Sequence, residues 1–351
     1  MEKYKEMLAA LDAELESGKY PAGTRFPSEY ALAERFNTTH ITANKVVKLL
    51  VDKGWLVRGK RGEGTRVCDL GKLIKGQILY IGSLRHVTAT SALNGLSNRA
   101  YFRGYYVVAS DVLYSELDNF LAKALASRKF VGIVSNCVDC FDERCPELPI
   151  VYLDHYEDYS SSNWPAHNTV SNDNEAACQK LMGILAERGY RNPVIYTDSC
   201  YQVTERYHRV RGFQQAMREL GVNDVDKRLF VGSEQREYTK IDALQQLRKI
   251  LKAFPETDAI VTTADDLALP MRQALFELGI PSPGKILVTG FGNIRMINDV
   301  YQIPSVEQHP FHIGVAAADM LLDLVEKKLP PGPHLHVVDT ELTNLEFIPG
   351  K

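Results

Sequence analysis

The chain has 351 residues, about twice the length of one domain, so it should fold into more than one unit. Hydrophobic residues make up 45% of it and charged residues 24%, a balance that excludes a disordered, collagenous or coiled-coil chain. The net charge is −3, yet residues 1–75 hold 14 Lys and Arg against 10 Asp and Glu. A basic head on an acidic body is compatible with a polyanion that binds the head.

No apolar run approaches the length of a membrane span, and charged residues interrupt the first 18 positions, where a secretory signal needs a continuous apolar core. We therefore expect a cytoplasmic protein without membrane contact. The six cysteines are few and irregularly spaced, as in proteins with reduced thiols. Cys137, Cys140 and Cys145 begin like a metal site but lack a second ligand pair. Buried or half-buried thiols are favoured over zinc or an iron–sulfur cluster, and no cofactor is expected.

The first 70 residues predict three helices. Apolar residues at three- and four-residue steps from Tyr4 to Leu15 predict the first helix, and Ser28 is the expected N-cap of a short second one. A third helix is predicted over 39–52, with one apolar and one polar face. Its expected buried face is Ala43, Val46, Val47 and Leu50, and its expected exposed face is His40, Ile41, Asn44, Lys45 and Lys48.

Two short β-prone runs follow at 55–67, around a turn rich in glycine and basic residues. Three helices closed by such a hairpin predict a winged helix-turn-helix. In that arrangement the exposed helix enters the DNA major groove, and the hairpin follows phosphates or the minor groove. The alternative is a small packing domain with solvated charges, and helix periodicity alone does not separate the two.

Three motifs of the head occur together in a known family. PAGTRFPSEYALAERF, followed by TTHITANKVVKLLVDKGWLVRGKRGEGTRV, is similar to the DNA-binding domain of the GntR family over roughly the first fifth of the chain. The resemblance implies that double-stranded DNA is a partner. The expected DNA-binding residues are Pro27, Ser28, Glu29, Thr39, His40, Thr42, Asn44, Lys45, Lys60, Arg61, Gly62 and Gly64.

The recognition helix departs from the family pattern. The family usually has Ser-Arg where this chain has Thr39 and His40, and commonly a second arginine where it has Asn44. Arginine is the commonest bidentate reader of guanine, whereas asparagine pairs with adenine. We therefore expect an operator unlike the usual half-site of the family, with adenine read by Asn44.

From Gln77 onward, β-rich apolar runs alternate with amphipathic helical patterns, which predicts parallel sheets with helices on both faces. The number of strands favours two doubly wound lobes, whose ligands bind in the cleft beyond the carboxyl ends of the strands. The sequence has no dinucleotide fingerprint, phosphate-binding loop, zinc-protease motif or nucleophile elbow. His208 and Asp198 near Ser199 suggest a triad only by proximity in sequence, so a binding module is favoured over an enzyme.

The body also carries a family resemblance. RYHRVRGFQQAM, TADDLALPMRQALFELG, ILVTGFGN and IPSVEQHPFHIGVAAADMLLDLVE resemble the effector-binding core of the lactose- and galactose-repressor family, which is similar to periplasmic sugar-binding proteins. Joined to a GntR-type head, this core resembles the arabinose-type repressors. The expected fold class is therefore α/β, with a winged helix-turn-helix before a two-lobed periplasmic-binding-protein-like domain. The expected boundaries are 1–70 for the head, 71–76 for the linker, 77–170 plus 308–329 for lobe 1, and 171–304 plus 333–351 for lobe 2.

The resemblance places Arg209 where the family grips sugar hydroxyls or a carboxylate, a task suited to a rigid fork of donors. The other expected effector-binding residues are Ser83, Arg85, Asp154, Asp265 and Asn293, and Trp164 and Phe311 are weaker candidates for stacking on a sugar ring. Ala264 and Gly292 stand where the family has polar partners, so no particular sugar is implied.

These observations predict a transcriptional regulator, most simply a repressor, that acts as a homodimer on an operator. A small molecule, expected to be a sugar or a sugar derivative, would bind between the lobes and change the affinity for DNA. The alternatives are a sugar-binding receptor and an enzyme that uses the cleft catalytically.

Overall fold

A computed structural model describes residues 3–16, 19–60, 63–68, 74–112, 114–136, 141–154, 166–199, 205–232 and 239–351. The chain forms two compact units, residues 1–78 with 98–107 and residues 79–97 with 108–351. The boundary between them runs through the first strand and the first helix of the predicted body. None of the helices in the described ranges is long and apolar enough to cross a membrane.

Within the described ranges, the head contains three helices and a two-stranded antiparallel hairpin, as the sequence predicts. Its elements are α1 (Lys3–Glu16), α2 (Glu29–Arg35), α3 (His40–Asp52), β1 (Leu56–Arg58) and β2 (Thr65–Val67). One apolar cluster joins them, to which α1 contributes Met7, Leu11 and Leu15. At the edge of this cluster, an ion pair with Arg35 lowers the pKa of Glu14 to about 2 and ties α1 to α2.

The first part of the body is a six-stranded sheet in the order β13-β7-β6-β5-β3-β4. Its strands are β3 (Gly76–Gly82), β4 (Tyr105–Ser110), β5 (Phe130–Asn136), β6 (Ile150–Leu153), β7 (Thr169–Asn172) and β13 (Leu335–Val338). The helices of this lobe are α4 (Val87–Phe102), α5 (Leu117–Ala126) and α11 (Pro310–Val325). Strands β5, β6, β7 and β13 pair in parallel, which matches the predicted βα alternation.

The second lobe has a four-stranded parallel sheet in the order β11-β10-β8-β9. Its strands are β8 (Pro193–Thr197), β9 (Leu229–Val231), β10 (Ala259–Thr262) and β11 (Leu287–Thr289). The remaining helices are α6 (Asn174–Glu187), α7 (Arg206–Glu219), α8 (Lys240–Ala253), α9 (Asp265–Glu277) and α10 (Arg295–Tyr301). A small antiparallel pair, β12 (Ser305–Glu307) with β14 (Glu341–Thr343), adjoins this lobe.

One asparagine side chain joins the three segments that cross between the lobes. Asn172, at the end of β7, donates from Nδ2 to the backbone carbonyls of Gln308 (3.0 Å) and Val338 (2.9 Å). Because β13 pairs with β7 along 335–338, the last crossing follows Val338. The prediction that lobe 2 resumes at 333 is therefore wrong for this strand, which completes the first sheet.

Candidate functional site

Side-chain caps begin the second and third helices of the head. The hydroxyl oxygen of Ser28 accepts a hydrogen bond from the backbone N–H of Ala31 at the start of α2 (3.2 Å). At the start of α3, the hydroxyl of Thr39 accepts from the backbone N–H of Thr42 (3.2 Å). Such caps satisfy amide donors that the first turn of a helix leaves unpaired. Ser28 and Thr39, both predicted DNA contacts, therefore also fix where α2 and α3 start.

The polar face of α3 is exposed, as its periodicity predicts. Ala43, Val46, Val47 and Leu50 are buried in the core of the head. The residues on the opposite face, His40, Ile41, Asn44, Lys45 and Lys48, are all exposed, with Ile41 at 81%. An exposed Ile beside amide and ammonium groups gives this face both apolar and hydrogen-bonding capacity, which the edges of base pairs require.

Several residues of this face contact their neighbours. The ring of His40 stacks on Tyr30 with centroids 4.3 Å apart, and the ammonium of Lys45 lies 4.6 Å from the ring centre of Tyr4. Pro27 and Glu29 are half-buried at the start of α2. No local sequence pattern indicates Tyr30, because its outward direction depends on how α2 packs against α3.

The hairpin turn is closed by backbone and side-chain bonds. The backbone N–H of Gly59 donates to the carbonyl of Gly64 (2.9 Å), and the N–H of Lys60 donates to the carboxylate of Glu63 (2.9 Å). Gly64 has φ +76°, a backbone conformation that favours glycine. This conformation explains why a glycine stands at this position of the hairpin turn. Arg61 and Gly62 lie outside the described residues.

Arg58 lies beside the exposed polar face of α3, although no local sequence pattern indicates it. From the end of β1, its Nη2 donates to Oδ1 of Asn44 over 2.7 Å. The same guanidinium lies 3.7 Å from the carboxylate of Glu29. A hairpin strand that reaches α3 in this way could not be placed from local sequence patterns.

In the body, Arg209 is 3% exposed and is held by several groups of lobe 2. Its Nε donates to Oδ1 of Asn174 and its Nη1 to the backbone carbonyl of Thr263, both over 2.8 Å. The guanidinium carbon lies 3.9 Å from the ring centre of Phe291. The carboxylate of Glu205, one helical turn away, is 3.4 Å from Nη2. The predicted cleft arginine is thus a buried, pre-oriented cation.

The glycine of the R-x-x-G-F element explains how Arg209 reaches Asn174. A Cβ on Gly212 would meet the backbone carbonyl oxygen of Glu175 at 2.6 Å. Only glycine therefore lets α7 approach the first turn of α6 this closely. This approach brings Arg209 on α7 to Asn174, the first residue of α6.

Asp154 lies at the carboxyl end of β6, in the electrostatic field of Arg209 and Glu205. Its Oδ1 accepts a hydrogen bond from the hydroxyl of Ser171 (3.2 Å). Burial, followed by the repulsion from Glu205, raises the pKa of Asp154 to about 7. Asp154, after a strand of the first sheet, and Arg209, on a helix of the second lobe, are therefore close enough for their charges to interact.

The remaining predicted effector residues are placed differently. Asp265 is fully buried and accepts from Ser305 Oγ (2.7 Å) and the backbone N–H of Ile294 (2.6 Å). The amide of Asn293 donates to Glu307 (2.9 Å) and accepts from Asn298 (3.0 Å). Both side chains therefore hydrogen-bond within the second lobe, and their assignment as ligand contacts stays a prediction.

The side chain of Arg85 is 90% exposed, and its Nε lies 3.8 Å from the carboxylate of Asp111. The hydroxyl of Ser83 accepts from the backbone N–H of Arg85 (3.2 Å). The assignment of Ser83 and Arg85 as effector contacts stays a prediction. Phe311 is exposed on α11, and Trp164 lies outside the described residues.

The alternative sites gain no support from the described residues. There, no three His, Cys, Asp or Glu side chains lie where they could hold a metal ion. Cys145 is a buried thiol, whereas Cys137 and Cys140 lie outside the described residues. Of the residues considered for a triad, Asp198 pairs with Arg206 and His208 with Glu175.

Two sequence families match the two parts of the chain. Residues 3–67 match the family described as bacterial regulatory proteins, gntR family, and residues 182–344 match the periplasmic binding protein-like domain. The HTH-type transcriptional regulator Rv3575c of Mycobacterium tuberculosis is 28% identical over 56% of this chain and 55% of its own length. The repressor PurR of Edwardsiella ictaluri is 27% identical over 67% of this chain and 69% of its own.

Solved structures show the same fold. The regulator CelR in complex with cellobiose matches 91% of this chain and 98% of its own, with a TM-score of 0.66 and 16% identity. The lac repressor dimer bound to operator matches 76% of this chain and 92% of its own, with a TM-score of 0.64 and 17% identity.

The winged head and the two-lobed body together define a one-chain, ligand-binding regulator of transcription. The chain joins a gntR-family domain at residues 3–67 to a periplasmic binding protein-like domain at residues 182–344, and the relatives that it resembles are HTH-type transcriptional regulators.

Proposed function

We propose that the protein is a repressor whose affinity for a duplex operator is controlled by a small neutral polyhydroxyl compound, such as a sugar, bound beside Arg209 and Asp154. The observation that carries the proposal is the exposed polar face of α3 on the same chain as a buried, pre-oriented arginine of the effector domain. The complex of CelR with cellobiose supports a sugar as the class of ligand.

The charges around Arg209 favour an uncharged ligand. The guanidinium of Arg209 already pairs with Glu205. The carboxyl of Asp154 interacts electrostatically with both of these groups. A ligand carboxylate would meet both of these acidic groups, whereas hydroxyl groups can donate to them and accept from the guanidinium. The charges of Arg209, Glu205 and Asp154 therefore favour pentoses, hexoses and their disaccharides as ligands over uronates and other carboxylates.

We propose that the regulator acts as a homodimer through a face that includes α9. Phe276 on α9 is 86% exposed and stands beside a pocket of about 820 Å³ that it lines with Ile280 and Tyr301. Lys240 and Glu277, 2.7 Å apart, give the same face one charge of each sign. A two-fold interface requires such self-complementarity, because the same patch faces itself. The operator complex of the lac repressor dimer supports two heads on two half-sites.

The DNA-binding proposal is tested by the salt dependence of operator affinity. Lys48 and Lys60 are exposed on α3 and on the hairpin, where a cation would follow DNA phosphates. Replacing both by glutamine should lower affinity about tenfold or more at 150 mM salt and reduce the log–log slope by up to about 2. Fluorescence anisotropy with the promoter region of its own gene measures both values. A Lys249→Gln variant on α8 serves as control, and an unchanged slope in the double variant would exclude this DNA face.

The pKa of Asp154 predicts a pH-dependent stability. Between the ordinary value near 3.8 and the folded value of about 7, the unfolded chain releases a proton that the native state retains. Rising pH therefore destabilises the body across this window, and the penalty is complete above pH 7. Asp154→Asn removes the penalty while keeping an acceptor for Ser171.

Thermal unfolding should thus find the Asn variant more stable than the wild type at pH 8, by roughly 2–4 °C for each kcal/mol, and about equal to it near pH 4. The exposed Asp226→Asn variant is the control. Equal melting temperatures of wild type and Asp154→Asn at pH 8 would contradict the raised pKa.

A further inference from the structure

The recognition helix lacks the arginines that are usual in the family at positions 40 and 44, and the hairpin places another arginine beside it. Arg58 ends β1, and its side chain, 49% exposed, reaches the middle of α3. There its Nη2 donates to Oδ1 of Asn44 over 2.7 Å. Glu29, at the start of α2, lies 3.7 Å from the same guanidinium and holds it by charge. Three elements of the head therefore converge on one pair of side chains.

This contact changes which hydrogen-bond groups Asn44 presents. An asparagine that reads adenine needs Oδ1 to accept from the N6 amino group and Nδ2 to donate to N7. In this head Arg58 takes one of the two lone pairs of Oδ1, so a bidentate contact to adenine competes with that bond, whereas a donor contact from Nδ2 does not. The guanidinium adds N–H donors of its own beside it. The pair thus presents donors, and guanine is the base that shows two acceptors, O6 and N7, in the major groove.

We propose that Asn44 and Arg58 form a single reading unit that selects guanine in each half-site, with Glu29 as a residue that positions Arg58. The inference rests on the proposed operator binding and replaces adenine as the base read at Asn44. Arg58 is a specificity-determining residue in this account, although it lies outside the recognition helix.

The test is selection of duplexes from a randomised library by the full-length protein, followed by sequencing of the bound pool. The wild type should enrich guanine at one position of each half-site, with a preference of roughly 5- to 150-fold over the other bases. Arg58→Met frees Oδ1 of Asn44, so the enriched base at that position should change from guanine to adenine. Asn44→Ala should weaken the preference at the same position.

Two variants separate reading from charge. Arg58→Lys keeps the positive charge but loses the planar fork, so it should retain the salt dependence of binding and lose most of the guanine preference. Arg66→Met on β2, where the arginine donates to the carbonyl of Gly23, is the matched control and should enrich the wild-type sequence.

The outcomes are distinguishable. If Arg58→Met enriches the same sequence as the wild type, or if its affinity falls equally for all four bases at the position, the reading unit is wrong and Arg58 contacts only the backbone. If the wild type enriches no sequence, operator binding itself fails, and this inference fails with it.

Discussion

Replacement of Arg209 by leucine should abolish the response to ligand while the DNA-binding head still binds its operator. The variant removes a guanidinium that organises Asn174, Thr263 and Glu205. Hydrogen bonds to a charged group contribute about 1.5–3 kcal/mol each, so the affinity for ligand should fall about 100-fold or more. Calorimetric titration, with a ligand found by a thermal-shift screen of pentoses, hexoses, uronates and disaccharides, measures this loss.

Arg209→Lys is the matched variant, because it keeps the positive charge against Glu205. Lysine has no rigid fork, so it should restore folding more fully than ligand affinity. Breaking a buried ion pair costs about 3–5 kcal/mol, and a melting curve of each variant shows whether the body is still folded. Ligand affinity in a folded Arg209→Leu variant equal to that of the wild type would remove Arg209 from the site.

Replacement of Phe276 by aspartate should convert the proposed dimer into monomers and strongly weaken operator binding. A carboxylate in place of the 86% exposed ring would place like charges on both sides of a two-fold axis and remove the apolar contact. Two linked heads gain about 10²–10⁴ in affinity over a single head through effective concentration, and the monomer would lose this gain. Light scattering after size-exclusion chromatography gives the mass, and anisotropy gives the operator affinity.

A matched surface variant controls for a general effect of the charge. Leu220→Asp changes an exposed apolar residue at the end of α7, which does not line the pocket beside Phe276. This variant should keep both the mass and the operator affinity of the wild type. A Phe276→Asp protein that remains dimeric would move the proposed interface away from α9.

Much of the DNA-binding head could be predicted because local rules decide it. The 3.6-residue period of α3 separates buried Val46 and Val47 from exposed Asn44 and Lys48, and the cap at Thr39 fixes the register. The contact of Arg58 with Asn44 could not be predicted in this way. It depends on the packing of a hairpin against a helix that lies 14 residues away in the chain.

The effector site shows the same division. The resemblance carried by the R-x-x-G-F motif predicts Arg209 as a site residue, and the structure explains the glycine of that motif, because a Cβ on Gly212 would clash with Glu175. A carboxylate such as Asp265 after a β-strand fits a ligand site as well as a framework site. The tertiary partners of Asp265, Ser305 and Asn298, are distant in sequence, so these hydrogen bonds could not be predicted. For the same reason the pairing of β13 with β7 escaped the lobe boundaries predicted from the sequence.

The central claim is that ligand binding and operator binding are coupled in one chain, and a thermodynamic cycle tests it most directly. Operator affinity is measured with and without saturating ligand, and ligand affinity with and without saturating operator. Coupling of 1–3 kcal/mol predicts that ligand changes operator affinity by about 5- to 150-fold, and that operator changes ligand affinity by the same factor. Operator affinity that stays the same at saturating ligand would contradict the account.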